Sequence, residues 1–206
     1  MDMSIIIPCH NLENYIMPLL VSLQLQVIPY YDVELIFICD NCTDNTQKII
    51  EEFDFNDLYE IIVLKRNVQS CGLARNEGLA VARGKYVWFI DGDDWLIDIY
   101  AVVKAIEAMI LTKEPVIRFD YKCPKSFEWK GYPSMVWQYI YTRKLIGDTI
   151  FKEIQPDEDI EFQKDIFGKL PKTKRIVFMN ELLYYYNYFR EGSNMQQFRT
   201  TRKIVQ

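Results

Sequence analysis

The chain has 206 residues, half of them hydrophobic, and a formal net charge of −5. That length holds one sizeable core, and the acidic balance argues against nucleic-acid binding through a broad basic face. No apolar run approaches the roughly 18–20 residues that span a bilayer, and the start of the chain runs directly into Met3-Ser4-Ile5-Ile6-Ile7-Pro8, so a cytoplasmic chain, at most peripheral to a membrane, is expected.

Residues 4–8 predict a short buried strand. Asn11 offers a cap for a helix with Tyr15, Ile16, Leu19, Leu20 and Leu23 on one face. Residues 34–39 predict a second strand. Thr43 or Asp44 can cap the next helix, which buries Ile49, Ile50 and Phe53. A third strand falls at 60–64, and a helix over 73–83 ends at Gly84, placed for a left-handed cap. The unbroken apolar run at 86–90 suits a strand buried on both faces. A helix over 98–111 turns Val102, Val103, Ile106 and Ile110 inward.

Beyond this point the pattern changes. Residues 116–120 read as a strand and 122–134 as a loop; 136–145 are aromatic and basic. Pro156-Asp157-Glu158-Asp159 is an acidic turn leading into a helix with Ile160, Phe162, Ile166 and Phe167 as apolar positions. Residues 175–179 and 182–188 predict two strands, and the basic end, 198–206, is helical or frayed.

Strands alternating with helices predict an α/β fold with a mostly parallel central sheet flanked by helices. Ligands of such sheets bind beyond the carboxyl ends of the strands. The polar residues fall there: Pro8, Cys9, His10 and Asn11 after the first strand, Asp40 and Asn41 after the second, Asp91 to Asp94 after the fourth.

Asp91-Gly92-Asp93-Asp94 carries the most chemistry. Three carboxylates packed around one glycine repel one another unless something positive sits among them. Hard oxygen ligands select Mg²⁺ or Mn²⁺, ions that share their coordination with substrate phosphates. The competing reading is a solvated acidic turn.

Five cysteines show no secreted-scaffold spacing. Cys39 and Cys42 form a Cys-x-x-Cys pair, open to three readings: a redox element, a zinc element or reduced packed thiols. Zinc would need further ligands, and His10 is the only histidine in the chain.

Taken together, these motifs resemble the family 2 glycosyltransferases of the GT-A fold, and the match runs over most of the chain. Ser4-Ile5-Ile6-Ile7-Pro8-Cys9-His10-Asn11 looks like the opening strand and loop, and Asp40-Asn41-Cys42-Thr43-Asp44 like the second-strand motif. Gly72-Leu73-Ala74-Arg75-Asn76-Glu77-Gly78 is similar to the segment that introduces the metal strand. Asp91-Gly92-Asp93-Asp94 fits the Asp-x-Asp element and Glu158-Asp159 the motif that supplies the base. Tyr185 to Ser193 resembles the family's Tyr-rich ending. Position 10 is His where the family often has Tyr, Cys39 and Cys42 replace the usual Asp and Ser, and Asn41 replaces Gly. Asn tolerates positive φ, so that turn survives.

The resemblance implies a single domain over 1–206, with a nucleotide-sugar half at 1–112 and an acceptor half at 113–206. It implies transfer of a sugar from a nucleoside-diphosphate sugar, a UDP-sugar in the first instance, to an acceptor hydroxyl with inversion. Asp93 would hold a divalent metal, Mn²⁺ or Mg²⁺, with Asp91 beside it; Asp94 would ligate or orient the loop. Pro8, His10, Asn11, Asp40 and Gly92 would line the donor pocket, with Asp40 reading the base and His10 stacking or donating a hydrogen bond. Arg75 would reach the diphosphate or pair with Asp91, and Arg190 and Ser193 would lie near the diphosphate. Asp159 would be the base and Glu158 its neighbour. The acceptor stays open among polysaccharide, lipid-linked glycan and protein. Two other classes compete: a sugar nucleotidyltransferase, for which residues 4–14 lack a Gly-rich phosphate loop, and a catalytically degenerate family member serving as a binding or scaffold subunit.

Overall fold

The computed structural model describes residues 1–124, 135–154, 157–173 and 176–188. Most of the loop expected at 122–134, together with Pro156, Arg175, Arg190, Ser193 and the basic end, falls outside these residues.

The first half is a parallel sheet. Strands β1 (Met3–Cys9), β2 (Val33–Asp40), β3 (Glu60–Arg66) and β4 (Tyr86–Phe89) lie in the order β3-β2-β1-β4. The apolar runs of β1, β2 and β4 are continuous because both faces are covered, β3 being a partly exposed edge strand, and successive side chains alternate between faces. Ile5 and Ile7 join one core with Phe37, Trp88 and helices α1 (Met17–Gln24) and α4 (Ala101–Thr112). Ile6 joins the other with Ile36, Ile38, Phe89 and helices α3 (Cys71–Val81) and α6 (Glu158–Gly168). Helix α2 (Thr46–Glu52) lies between β2 and β3 in the chain.

The second half extends the same sheet with mixed direction. Strand β7 (Tyr139–Thr142) pairs antiparallel with β4, and β6 (Val116–Lys122) antiparallel with β7. Strand β8 (Val177–Tyr185) pairs parallel with β6 and antiparallel with the short β5 (Trp95–Leu96). A single short helix, α5 (Arg143–Ile146), follows β7.

Four local expectations are corrected. Asn11 does not cap α1: it adopts a left-handed φ of 48° and its side chain accepts from Thr43 N–H at 2.8 Å, while α1 starts six residues later. Gly84 is not a left-handed cap, since Ala82 ends α3 in extended conformation. Glycine is required there for another reason: a Cβ would sit 2.3 Å from Ser4 N on β1. Ile110 is exposed and Val103 half-buried, because Ala101, Ala105 and Met109 join Val102 and Ile106 on the inward face of α4. The strands expected at 175–179 and 182–188 are, within the described residues, one strand, β8, whose pairing with β6 slips between Phe119 and Tyr121. The irregularity interrupts the ladder locally, and pairing resumes on its far side with Tyr121 and Lys122. Asp44, one of the two cap candidates, accepts from the N–H and hydroxyl of Thr46 and so serves the start of α2.

Candidate active site

The carboxyl ends of β1, β2 and β4 converge, as the parallel topology requires. At β1, Gly92 from the β4 loop packs against the loop that holds Pro8 and Leu12. A Cβ on Gly92 would meet Leu12 Cδ1 at 2.5 Å and Pro8 O at 3.2 Å. The residues that follow β1 and β2 are tied to one another. His10 Nδ1 lies 2.7 Å from the Asp40 carbonyl oxygen. A carbonyl only accepts, so Nδ1 donates and Nε2 of the neutral ring is an acceptor.

Asp40 is buried, and its carboxylate is used by the following loop. Oδ1 accepts from Val68 N–H at 2.7 Å and Gln69 N–H at 3.1 Å, and Oδ2 from Ser70 N–H at 3.1 Å. Asn41 turns the chain with a φ of 50°, the left-handed conformation expected of it. Asp40 therefore has a structural duty that sequence reading missed. Of the roughly four lone-pair positions on a carboxylate, one remains for a ligand.

The acidic loop divides its carboxylates by function. Asp94 is 1% exposed: Oδ2 accepts from the Tyr184 hydroxyl at 2.6 Å and Oδ1 from Asn187 N–H at 2.7 Å. Burial pushes its carboxyl well above the ordinary range, with the charges of Asp93 and Asp91 adding to the rise. Each of its oxygens is held by a donor on or just after β8, which ties the loop to that strand. The same Tyr184 hydroxyl accepts from Asp91 N–H at 3.2 Å, and its ring stacks on Trp137 at 4.5 Å. Neither partner of Asp94 was foreseen; only its surplus of negative charge signals that donors must lie nearby.

Asp91 and Asp159 meet through one cation. Arg75, with a side chain 3% exposed, donates from one guanidinium nitrogen to Asp91 Oδ1 at 2.7 Å and from the other to Asp159 Oδ1 at 2.8 Å. Helix α3 places Arg75 there, and α3 also positions α6. Asn76 exchanges two hydrogen bonds of 2.8 Å with the backbone of Phe151. The Phe151 ring stacks on Phe162 of α6 at 4.0 Å and lies under the Arg75 guanidinium at 5.4 Å. Gly72 allows this approach, since a Cβ there would stand 3.1 Å from Phe151 Cβ and 3.3 Å from Glu158 Cβ. Asp159 Oδ2 accepts from Val136 N–H at 3.1 Å. Burial, with Asp91 and Glu158 assisting, pushes the Asp159 carboxyl up to about 6 against the pull of Arg75. Glu158 Oε2 is buried and has no hydrogen-bond partner among the described residues.

The chemistry of the acidic loop fits a divalent metal only in part. Asp91 and Asp93 offer hard oxygens, but no group of three or more His, Cys, Asp or Glu among the described residues could hold an ion. A metal here would rest on two carboxylates and complete its shell with phosphate and water, as Mg²⁺ commonly does. Cys39 and Cys42 are not part of such a group among the described residues either. Both are free thiols.

A mixed α/β sheet of this kind, flanked by helices, is the GT-A fold of its structural neighbours. The model of glycosyl transferase family 2 matches residues 4–156, and the chain belongs to that family. The matched stretch ends just before Glu158 and Asp159. Among curated relatives, the chain is 29% identical over 179 residues to a poly(ribitol-phosphate) beta-glucosyltransferase of Bacillus spizizenii, covering 84% of this chain and 24% of the relative. It is 28% identical over 215 residues to the poly(ribitol-phosphate) beta-N-acetylglucosaminyltransferase TarS of Staphylococcus aureus, covering 95% and 37%. The solved structure of S. aureus TarS 1–349 in complex with UDP-GlcNAc superimposes with a TM-score of 0.84 at 25% identity, covering 95% of this chain and 61% of that one. A mannosyltransferase from Pyrobaculum calidifontis, solved with GDP-Man and Mn²⁺, shares the fold with a TM-score of 0.74 at 15% identity, over 100% of this chain and 62% of that one. The chain thus spans at most about three-fifths of the length of the curated relatives it matches, and about a quarter of the first of them. No helix among the described residues is long and apolar enough to cross a membrane.

Proposed function

We propose that this domain transfers a sugar, with inversion, from a nucleoside-diphosphate sugar to an acceptor hydroxyl in the assembly of a cell-surface polysaccharide. The observation that carries the reading is the Arg75 bridge, which joins Asp91 of the diphosphate-side loop to Asp159 on the acceptor side. Inversion by direct displacement needs a leaving-group site and a base on opposite sides of one anomeric carbon. A diphosphate would lie over the acidic loop, with Asp93 and Asp91 facing its oxygens; a Mn²⁺ or Mg²⁺ ion held there would neutralise the charge that develops on the leaving group.

The chain's own residues do the rest. Pro8, His10 and Asn11 form the loop against which the nucleoside rests, His10 offering its Nε2 acceptor and Asp40 its remaining lone pair. Protein acceptors suit the ring N–H of uracil or guanine better than the unprotonated ring nitrogen of cytosine, and UDP is the first choice because TarS is solved with UDP-GlcNAc. Arg75 holds Asp159 and Asp91 at a fixed separation, and the Val136 N–H orients the second oxygen of Asp159. A carboxylate whose proton affinity sits near 6 is ionised at neutral pH yet basic enough to take the acceptor proton. Glu158, with an unpaired buried oxygen beside the base, would contact the acceptor. The poly(ribitol-phosphate) relatives point to a polyol-phosphate or similar glycan as the acceptor class.

Calorimetric titration with UDP, GDP and CDP tests the donor site, run with Mn²⁺, then with chelator, on the wild type and on Asp93→Ala. The reading expects metal-dependent binding of UDP that is lost in the variant, followed by turnover in a UDP-sugar screen. A folded protein that binds none of the three would instead support a degenerate scaffold.

A further inference from the structure

Three cysteines gather at the carboxyl ends of β1 and β2, where none is required by the transfer chemistry. Cys9 and Cys39 are register partners on the two neighbouring strands, and both are buried. Cys42 follows three residues after Cys39 across the left-handed turn at Asn41. It is half-buried, packs against the same core as Cys9 and Cys39, and its Sγ lies 3.4 Å from the Cys9 carbonyl oxygen.

We propose that Cys39 and Cys42 are a redox-modifiable pair, closing to a disulfide that resets the turn carrying Asp40 and Asn41. Cys42 is the accessible member and Cys39 the buried one behind it. A hydrogen bond from the Cys39 thiol brings the Cys42 thiol down to about 7; burial opposes the shift, the Asn11 N–H assists it, Asp44 opposes it and His10 assists it. The same contact pushes Cys39 up. An accessible thiol in front of a buried one is the arrangement of an attacking and a resolving cysteine.

With hydrogen peroxide as oxidant the chemistry balances. The Cys42 thiolate attacks one peroxide oxygen, the O–O bond breaks, and hydroxide leaves to be protonated to water; Cys42 becomes a sulfenic acid. The Cys39 sulfur then attacks the Cys42 sulfur. The S–S bond forms, the S–O bond breaks, and the Cys39 proton leaves with the hydroxyl as a second water. Two thiols are oxidised and one peroxide is reduced.

The disulfide would alter nucleotide binding because the turn between the two cysteines holds Asp40, whose carboxylate organises residues 68–70 and whose carbonyl holds His10. This consequence rests on the donor-site reading; the disulfide itself does not. Peptide mapping keeps the two apart. Cys9, Cys39 and Cys42 share one tryptic peptide, but cleavage before Asp32, Asp40 and Asp44 separates Cys39 from Cys42 and both from Cys9. The reduced chain is treated with hydrogen peroxide, blocked by alkylation, cut before aspartate and weighed.

The expected product links the peptide ending at Cys39 to the one spanning residues 40–43, is reversed by dithiothreitol and is absent from Cys42→Ser. Cys39→Ala should instead leave a Cys42 sulfenic acid that dimedone traps. Unlinked peptides, or Cys42 joined to Cys9, would overturn the pair. UDP titration of the reduced and linked forms then tests the consequence, with a loss of affinity of about tenfold or more expected from a displaced binding loop. Equal affinity overturns the coupling. If the reduced chain binds no nucleotide, the donor reading fails while the peptide map still judges the pair.

Discussion

Burial and two neighbouring carboxylates keep a proton on Asp159 up to about pH 6, against the opposing charge of Arg75. A base works only when ionised. On the proposed mechanism kcat/KM therefore falls about tenfold per pH unit below that value and levels off above it. A rate profile from pH 4.5 to 8, spanning roughly that range, checks this; a flat acid limb removes Asp159 from the role. Asp159→Asn should lower kcat by about 10²–10⁴-fold and abolish the limb, with UDP affinity little changed in the calorimeter. At this scale the acidic loop was legible because it is local: three aspartates and a glycine in four residues announce themselves. The division of labour among them was not. Asp94 is spent on Tyr184, ninety residues on, and Asp40 on three amides of a loop 28–30 residues away. Periodicity and motif spacing carry no information about such partners, which exist only once the chain has folded.

Elements were read well where they are amphipathic or continuously apolar, and less well where a residue serves a contact outside its own segment. Gly84 looked like a helix stop and is instead the point where the chain after α3 passes β1. Gly84→Ala puts a methyl group 2.3 Å from Ser4 N. A backbone neighbour cannot move aside, so the variant should lose about 1–3 kcal/mol or more, measured as a lower urea midpoint at unchanged slope. Tyr184→Phe keeps the stacked ring and removes only the hydroxyl. Leaving Asp94 with one donor fewer should cost about 1–3 kcal/mol and weaken metal-dependent UDP binding, because Tyr184 also holds the Asp91 backbone. Unchanged stability and affinity would show that the hydroxyl does not order the loop. The break in register between β6 and β8 explains why one strand reads as two from sequence: the side-chain alternation changes phase at the irregularity.

Across the whole molecule, helix α3 couples the two halves. Its Arg75 and Asn76 reach the antiparallel side, its Gly78 lies on Ile6 and Ile38 of the parallel sheet, and α6 leans on it through Phe151. A ligand that binds the folded chain only should stabilise all of it together. UDP with Mn²⁺ at about a hundred times its Kd should add about 2.7 kcal/mol, seen as a thermal midpoint raised by several degrees. No shift with UDP, GDP or CDP would count against the donor site.

Composition, strand–helix alternation and the clustering of polar residues after strand ends already determined the α/β class and located the acidic loop. These follow from local patterning, since burial on two faces and turn chemistry are written in neighbouring residues. Only the tertiary structure decided which carboxylates are available and which are structural, and that one buried arginine ties Asp91 to Asp159. It alone placed Glu158 and Asp159 beside the loop at all, because their position depends on aromatic packing between segments far apart in the chain.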